Sequence, residues 1–277
     1  SCSDLESGWF SAYRHLGERD ELDFVLHLGD YVYENGNRAH GASIRRQHEP
    51  PRETTTLADY RQRHAQHKRD VDLQLLHARH PVVAVLDDHE VANDAWRDGA
   101  QNHTTPQEGS YAARRAAAYQ AYLEYLPIRE PTVGSVERRL GFGRLADLHL
   151  LDLRRHRDQQ VASTTDQATI EDPARTITGA AQMAWLQEGL AAPEAPQWRL
   201  IASSVIFTPV TSPPVAGPMA TVLAHLAGSR PVVEGHPFNV DQWDGYAADR
   251  ARLLDHLGAE GIDDVVFLAG DLHCSWA

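Results

Sequence analysis

The chain has 277 residues, 42% hydrophobic and 23% charged, with 39 acidic against 26 basic side chains and a net charge of −13. This composition supports a folded core and excludes wholesale disorder; the negative balance excludes a nucleic-acid binder, which needs a basic footprint. The 16 histidines make the charge strongly pH-dependent between about pH 5 and 7, and no apolar run approaches the ~18 residues of a membrane span.

In chain order, a first strand is predicted over residues 22–28 (LDFVLHL), ending in Gly29-Asp30. Near-helical apolar spacing follows over 54–79. A second strand, 82–86 (VVAVL), runs into Asp87-Asp88-His89. The Ala- and Tyr-rich stretch 108–126 reads as a helix stopped by Pro127. A strand over 145–151 leads to Asp152 and Arg154, a helix is predicted over 179–190, and another strand lies within 199–207. The segment TPVTSPPVAGP (208–218) is a long loop, 246–257 is helical, and the strand 265–269 ends in Gly270-Asp271-Leu272-His273. Short apolar runs suit strands covered on both faces, and their alternation with helices predicts an α/β layered fold.

Ligand-binding groups in such folds gather at the carboxyl ends of strands. Four strand ends here carry Asp30, Asp87-Asp88-His89, Asp152 with Arg154, and Asp271 with His273. A single Gly-Asp is equally a turn. Four ends loaded with carboxylate and imidazole point to a cation centre, because converging carboxylates repel one another without one. Carboxylates alone suit magnesium or calcium, and added His, Cys or Tyr brings in a transition metal. An arginine such as Arg154 suits bidentate contact with phosphate. Metal-assisted phosphoester hydrolysis follows as the expected chemistry. Other signatures fail: Asp70-Val71-Asp72 follows no apolar strand, the GxGxxA run 141–146 precedes a strand, and neither a Walker A loop nor a GxSxG elbow is present. Of the two cysteines, Cys2 and Cys274, the second is expected to be a small buried residue. His15, His40, His48, His64, His67, His77 and His80 are expected on polar faces, without a role. Trp243, Asp244 and Tyr246 read equally as pocket lining and as a packing motif.

The segments Ser1-Cys2-Ser3, LDFVLHLGDYVYENG (22–36), VLDDHEVANDAW (85–96), LLDLRRHR (150–157), GAAQMAWL (179–186), WDGYAADR (243–250) and VVFLAGDLHCSWA (265–277) resemble the PhoD-like (alkaline phosphatase D) phosphatases, within the calcineurin-like metallophosphoesterases. The resemblance implies a β-sandwich core flanked by helices, with residues 1–277 forming one catalytic domain. It also implies ferric iron and calcium as cofactors, with zinc, manganese or magnesium as alternatives. Cys2, Asp30 and Tyr33 match the family's iron ligands; Asp88, Asp271 and His273 match further metal ligands. His89 matches the histidine that steadies the phosphate or protonates the leaving group. Asn93 and Arg154 match positions near the site, Asn93 as metal or substrate ligand and Arg154 as substrate and catalytic residue. A trivalent cation would also deprotonate a tyrosine and a cysteine, whose ordinary pKa values are about 10 and 8.5.

The resemblance further implies hydrolysis of phosphate mono- or diesters by a metal-activated water, on small-molecule, lipid or polymer esters. A phospholipase D-type phosphodiesterase and a catalytically dead metal-binding remnant are the rivals. Segments 35–53 and 208–218 are candidates to shape the pocket. The enzyme is expected to be exported and monomeric, with no specific nucleic-acid partner. Family members extend beyond both ends of this chain, so a fragment incomplete at both ends is expected, with Cys2 on a mobile terminus.

Overall fold

The computed structural model describes residues 1–37, 46–129, 135–194, 196–212, 214 and 233–274. They divide into two compact units, Ser1–Val136 and Glu137–Ala277. Each pairs strands with helices, as the α/β expectation requires.

In the first unit, β1 (Val25–Leu28) and β2 (Val82–Val85) pair in parallel, with Leu28 opposite Val85. Parallel pairing in level register brings both carboxyl ends to the same edge, so the turns carrying Asp30 and Asp88 lie side by side. Helix α1 (Ser11–Gly17) precedes β1; α2 (Leu57–Lys68) and α3 (Val71–Arg79) come between the strands, and α4 (Thr105–Glu108) and α5 (Tyr111–Tyr125) follow β2. The single helical stretch expected over 54–79 is therefore two helices. Thr56 and Asp59 form a capping box at the start of α2, and Asp70 caps α3 by accepting the amides of Asp72 and Leu73 at 3.0 and 3.1 Å. A side-chain cap divides the run without the glycine or proline that marks a break in sequence. Helix α1 was not legible, being only seven residues long.

The core of this unit is aromatic and partly polar. His48, His64, His67 and His80 are buried, contrary to their expected place on polar faces; His15 is exposed, His77 is half-buried, and His40 lies outside the described residues. Their rings pack with tyrosines: His64 stacks on Tyr125 at 5.4 Å and on Tyr31 at 6.3 Å. Because the inward face of α2 is Asp59, Tyr60, Arg63, His64 and His67, the helix looks solvated by hydropathy.

In the second unit, β3 (Arg138–Phe142), β4 (Ala146–Leu150), β5 (Trp198–Ala202) and β6 (Val265–Leu268) form a sheet in that order, antiparallel between β3 and β4 and parallel thereafter. Strand β3 was not anticipated. Its residues Arg-Arg-Leu-Gly-Phe lack a continuous apolar run, and it takes an edge position in which side chains alternate in exposure. Helices α6 (Gln167–Ile170), α7 (Ala180–Leu190) and α8 (Ala247–Ala259) complete the unit, with a 3-10 turn at Trp243–Tyr246. Leu151, Leu153, Met183, Leu186, Ile201 and Trp243 are buried in its core.

Candidate metal and phosphate site

The turn after β1 is shaped by backbone as much as by side chain. Gly29 has φ +91°, and a Cβ there would lie 2.5 Å from the Cβ of Asp87, so only glycine lets the two strand ends approach. Glu90, fully buried, accepts the amides of Asp87 (2.7 Å), Asp30 (3.1 Å) and Tyr31, tying the two turns together. Cys2 is held beside the first turn: its amide donates to Gly29 O at 3.1 Å, and Ser3 N–H donates to Asp30 O at 2.9 Å. The terminus is hydrogen-bonded at this point, whereas a mobile one was expected.

Asp30, Asp88 and His89 each bring a ligand atom within 4.8 Å of the others, and so do Asp30, Asp87 and Asp88. Cys2 Sγ stands within the same distance of an Asp30 oxygen. Asp30 is 1% exposed, and its Oδ1 has no hydrogen-bond partner among the described residues. Burial, and then the neighbouring Asp87, Asp88 and Glu90, push its carboxyl pKa well up against the opposing pull of His89. Tyr33 donates to Asp30 Oδ2 at 3.3 Å and lies 4.3 Å from the His89 ring; burial followed by Asp30 and Cys2 drives its phenol pKa far up. These donors, crowded, buried and oxygen-rich with one thiol, fit a cation centre that takes hard and borderline ligands.

His89 Nδ1 lies 2.7 Å from Glu34 Oε2, and Glu34 Oε1 accepts the amide of Asn93 and Asn102 Nδ2, each at 2.7 Å. Burial would lower the pKa of His89, but the charges of Glu34, Asp88 and Asp30 hold it well above the ordinary value. For Glu34, burial raises and His89 lowers, leaving a pKa of about 2. The Asn93 side chain turns its Nδ2 to Gln101. Sequence reasoning assigned no role to Glu34, Glu90 or Asn102. Glu34 sits four residues past Asp30 in the same motif, which was the available signal. Fully buried Arg63 reinforces the segment by donating to the carbonyls of Tyr33, Asn35 (3.1 Å) and Pro50 (3.0 Å).

The second unit carries Arg154, Asp271 and His273. Asp152 Oδ1 caps the turn after β4 by accepting the amides of Arg154 and Arg155 at 3.1 and 3.0 Å. Arg154, 1% exposed, donates from Nη1 to Asp241 at 2.8 Å, and its Nη2 lies 3.7 Å from Asp271 Oδ1. Gln242 donates to Asp271 Oδ2. Asp271 and His273 have φ of +66° and +51° in the bend after β6. Cys274 sits past that strand end and is exposed, not buried as expected. Trp243 is fully buried and donates to Ser203 Oγ at 3.1 Å, while Asp244 accepts the Val210 amide at 2.8 Å; both serve packing. Parts of the two candidate pocket segments, 38–45, 213 and 215–218, lie outside the described residues.

A family model described as "PhoD-like phosphatase" matches residues 1–277. The chain belongs to the PhoD-like phosphatase family. It is 33% identical over 291 aligned positions to alkaline phosphatase D of Bacillus subtilis (strain 168), an alignment covering 100% of this chain and 45% of that protein. A solved structure titled "Structure of PhoD" superimposes with a TM-score of 0.83 at 32% identity, over 99% of this chain and 50% of the other. The PhoD-like chain thus spans about half the length of the relatives it matches. No helix among the described residues is long and apolar enough to cross a membrane.

Proposed function

We propose that this chain carries the machinery of a metal-dependent phosphoesterase that hydrolyses phosphate mono- or diesters. The observation carrying it is Asp30, a buried carboxylate whose Oδ1 lacks a hydrogen-bond partner among the described residues and which has an oxygen within 4.8 Å of oxygens of Asp87 and Asp88. Such crowding is costly unless cations relieve it. In the first unit Cys2, Asp30, Tyr33 and Asp88 are the candidate ligands; Asn93, whose Nδ2 donates to Gln101, keeps its assignment from the family resemblance alone. In the second, Asp271 and His273 keep the assignments that the family resemblance gives them. Ferric iron and calcium suit this donor set, and when bound they supply positive charge to the attacking and leaving oxygens of the ester.

The chain's own residues do the rest. Glu34 fixes the imidazole of His89 through Nδ1, which reserves Nε2 for a phosphoryl oxygen or a leaving alkoxide. The charge of Glu34, the largest that opposes burial, raises the His89 pKa and so favours the protonated ring, the form that can donate. Arg154 is held by Asp241 in a buried setting suited to a phosphate oxygen. Export and a monomeric state belong to the same proposal and rest on the family resemblance.

Replacing His89 with Ala tests the assignment. Turnover should fall by roughly 10²–10⁴-fold, the usual worth of a positioned acid or base, with metal content near normal. Hydrolysis at the parent rate would refute the role of His89. Comparing an aryl phosphate with a bis-aryl phosphate separates monoesterase from diesterase action.

A further inference from the structure

Arg154 does not meet Asp241 alone. The carboxylate, 3% exposed, gives Oδ2 to Arg154 Nη1 at 2.8 Å and Oδ1 to Arg157 Nη2 at 2.6 Å. Arg157 is fully buried and is fixed from its other side: its Nε donates to Tyr246 Oη at 2.9 Å, and that hydroxyl donates to Asp158 O at 2.7 Å. The Tyr246 ring lies 4.9 Å from the Arg157 guanidinium, a cation–π contact. Burial alone would raise the Asp241 pKa; the two guanidiniums overcome it and hold the group well below the usual carboxylate range, so it is charged. Two cations therefore share one anion inside the protein.

The charge balance has a functional meaning. A buried Arg–Asp pair is neutral and draws a phosphate weakly; a second arginine on the same carboxylate leaves the group with a net positive charge. Of the other acids near Arg154, Asp152 gives Oδ1 to backbone amides, and Asp271, whose Oδ1 lies 3.7 Å from Arg154 Nη2, is a second anion that the two arginines together balance and Arg154 alone would not. We propose that Arg157 is a specificity-determining residue: by sharing Asp241, it offsets that carboxylate's charge, so that Arg154 draws a phosphoryl dianion more strongly than it would as the sole partner of Asp241. This rests on Arg154 being a phosphate-binding residue, as put forward above. Arg157 itself acts through Asp241 and is a positioning residue, not a catalytic one.

The test uses the full chain loaded with metal, with inorganic phosphate as competitive inhibitor of aryl phosphate hydrolysis. Arg157→Met should raise the phosphate inhibition constant about tenfold, the effect of one partly screened charge, with KM following and kcat changed much less. Arg157→Lys keeps the charge and should stay near the parent. The double variant Arg157→Met with Asp241→Asn restores the net charge and should regain most of the lost affinity, which damaged packing would not allow. If Arg157→Met folds poorly, the lysine and double variants still decide the matter. A double variant no better than Arg157→Met, or Arg157→Lys as impaired as Arg157→Met, would overturn the proposal. Arg154→Met is the reference. If it leaves phosphate inhibition unchanged, the role of Arg154 fails and this inference fails with it; if it weakens inhibition while Arg157→Met does not, only the inference fails.

Discussion

His64 offers a quantitative test of the polar core. Its ring is fully buried between tyrosines, and neither nitrogen has a hydrogen-bond partner among the described residues. Burial, with smaller contributions from Lys68 and Arg63, lowers its pKa from 6.5 to about 3. Between those values the unfolded chain takes up a proton that the folded chain does not, so stability falls as pH falls, beginning near 6.5. Each pH unit in that window is worth about 1.4 kcal/mol, and the loss between pH 7 and pH 5 is about 2 kcal/mol for this one residue. His64→Phe keeps a ring in the stack and removes the titration. Urea unfolding of the metal-loaded protein at pH 7 and pH 5 should therefore show the parent losing about 2 kcal/mol more than the variant. Carboxylates elsewhere contribute equally to both proteins and cancel. Parallel losses would refute the reasoning, since they would mean that the folded state accepts a proton at His64 as readily as the unfolded chain.

Three further outcomes follow from the geometry. Glu34→Gln should cut kcat by roughly 10–100-fold, the usual cost of losing a group that orients a functional histidine, with the fold retained by circular dichroism. Gly245→Ala would place a Cβ 1.9 Å from Val240 O, a backbone clash, and should destabilise the second unit by at least about 1–3 kcal/mol in thermal melts. Stripping metal with a chelator should lower the melting midpoint of the parent, because Asp30, Asp87 and Asp88 then face one another unrelieved; Asp30→Asn should blunt that shift.

The strands that matter for the site were readable because each is a short continuous apolar run, VVAV and VVFL, although β6 proves to be an edge strand among the described residues, with Val266 exposed, rather than one covered on both faces. Their ends, Gly29-Asp30 and Asp87-Asp88-His89, were readable for the same reason: each run stops abruptly in charge. Strand β3 was not, since an edge strand reading Arg-Arg-Leu-Gly-Phe carries no continuous apolar run, and the histidine core was not, since it is built from polar residues whose burial depends on partners distant in sequence. Asp241 and Arg157 are 84 residues apart, and nothing local marks either as half of a buried ion pair. Glu34 and Glu90 fall inside legible motifs, yet their work is to receive hydrogen bonds across the turn, which sequence spacing does not express.

The central claim is a metal centre built on Cys2, Asp30, Tyr33 and Asp88. Elemental analysis of the purified chain, with a visible spectrum of the same sample, tests it most directly. Bound iron and calcium are expected, together with a broad charge-transfer band that Tyr33→Phe abolishes. Protein that is colourless and iron-free, or a band untouched by Tyr33→Phe, would contradict the assignment.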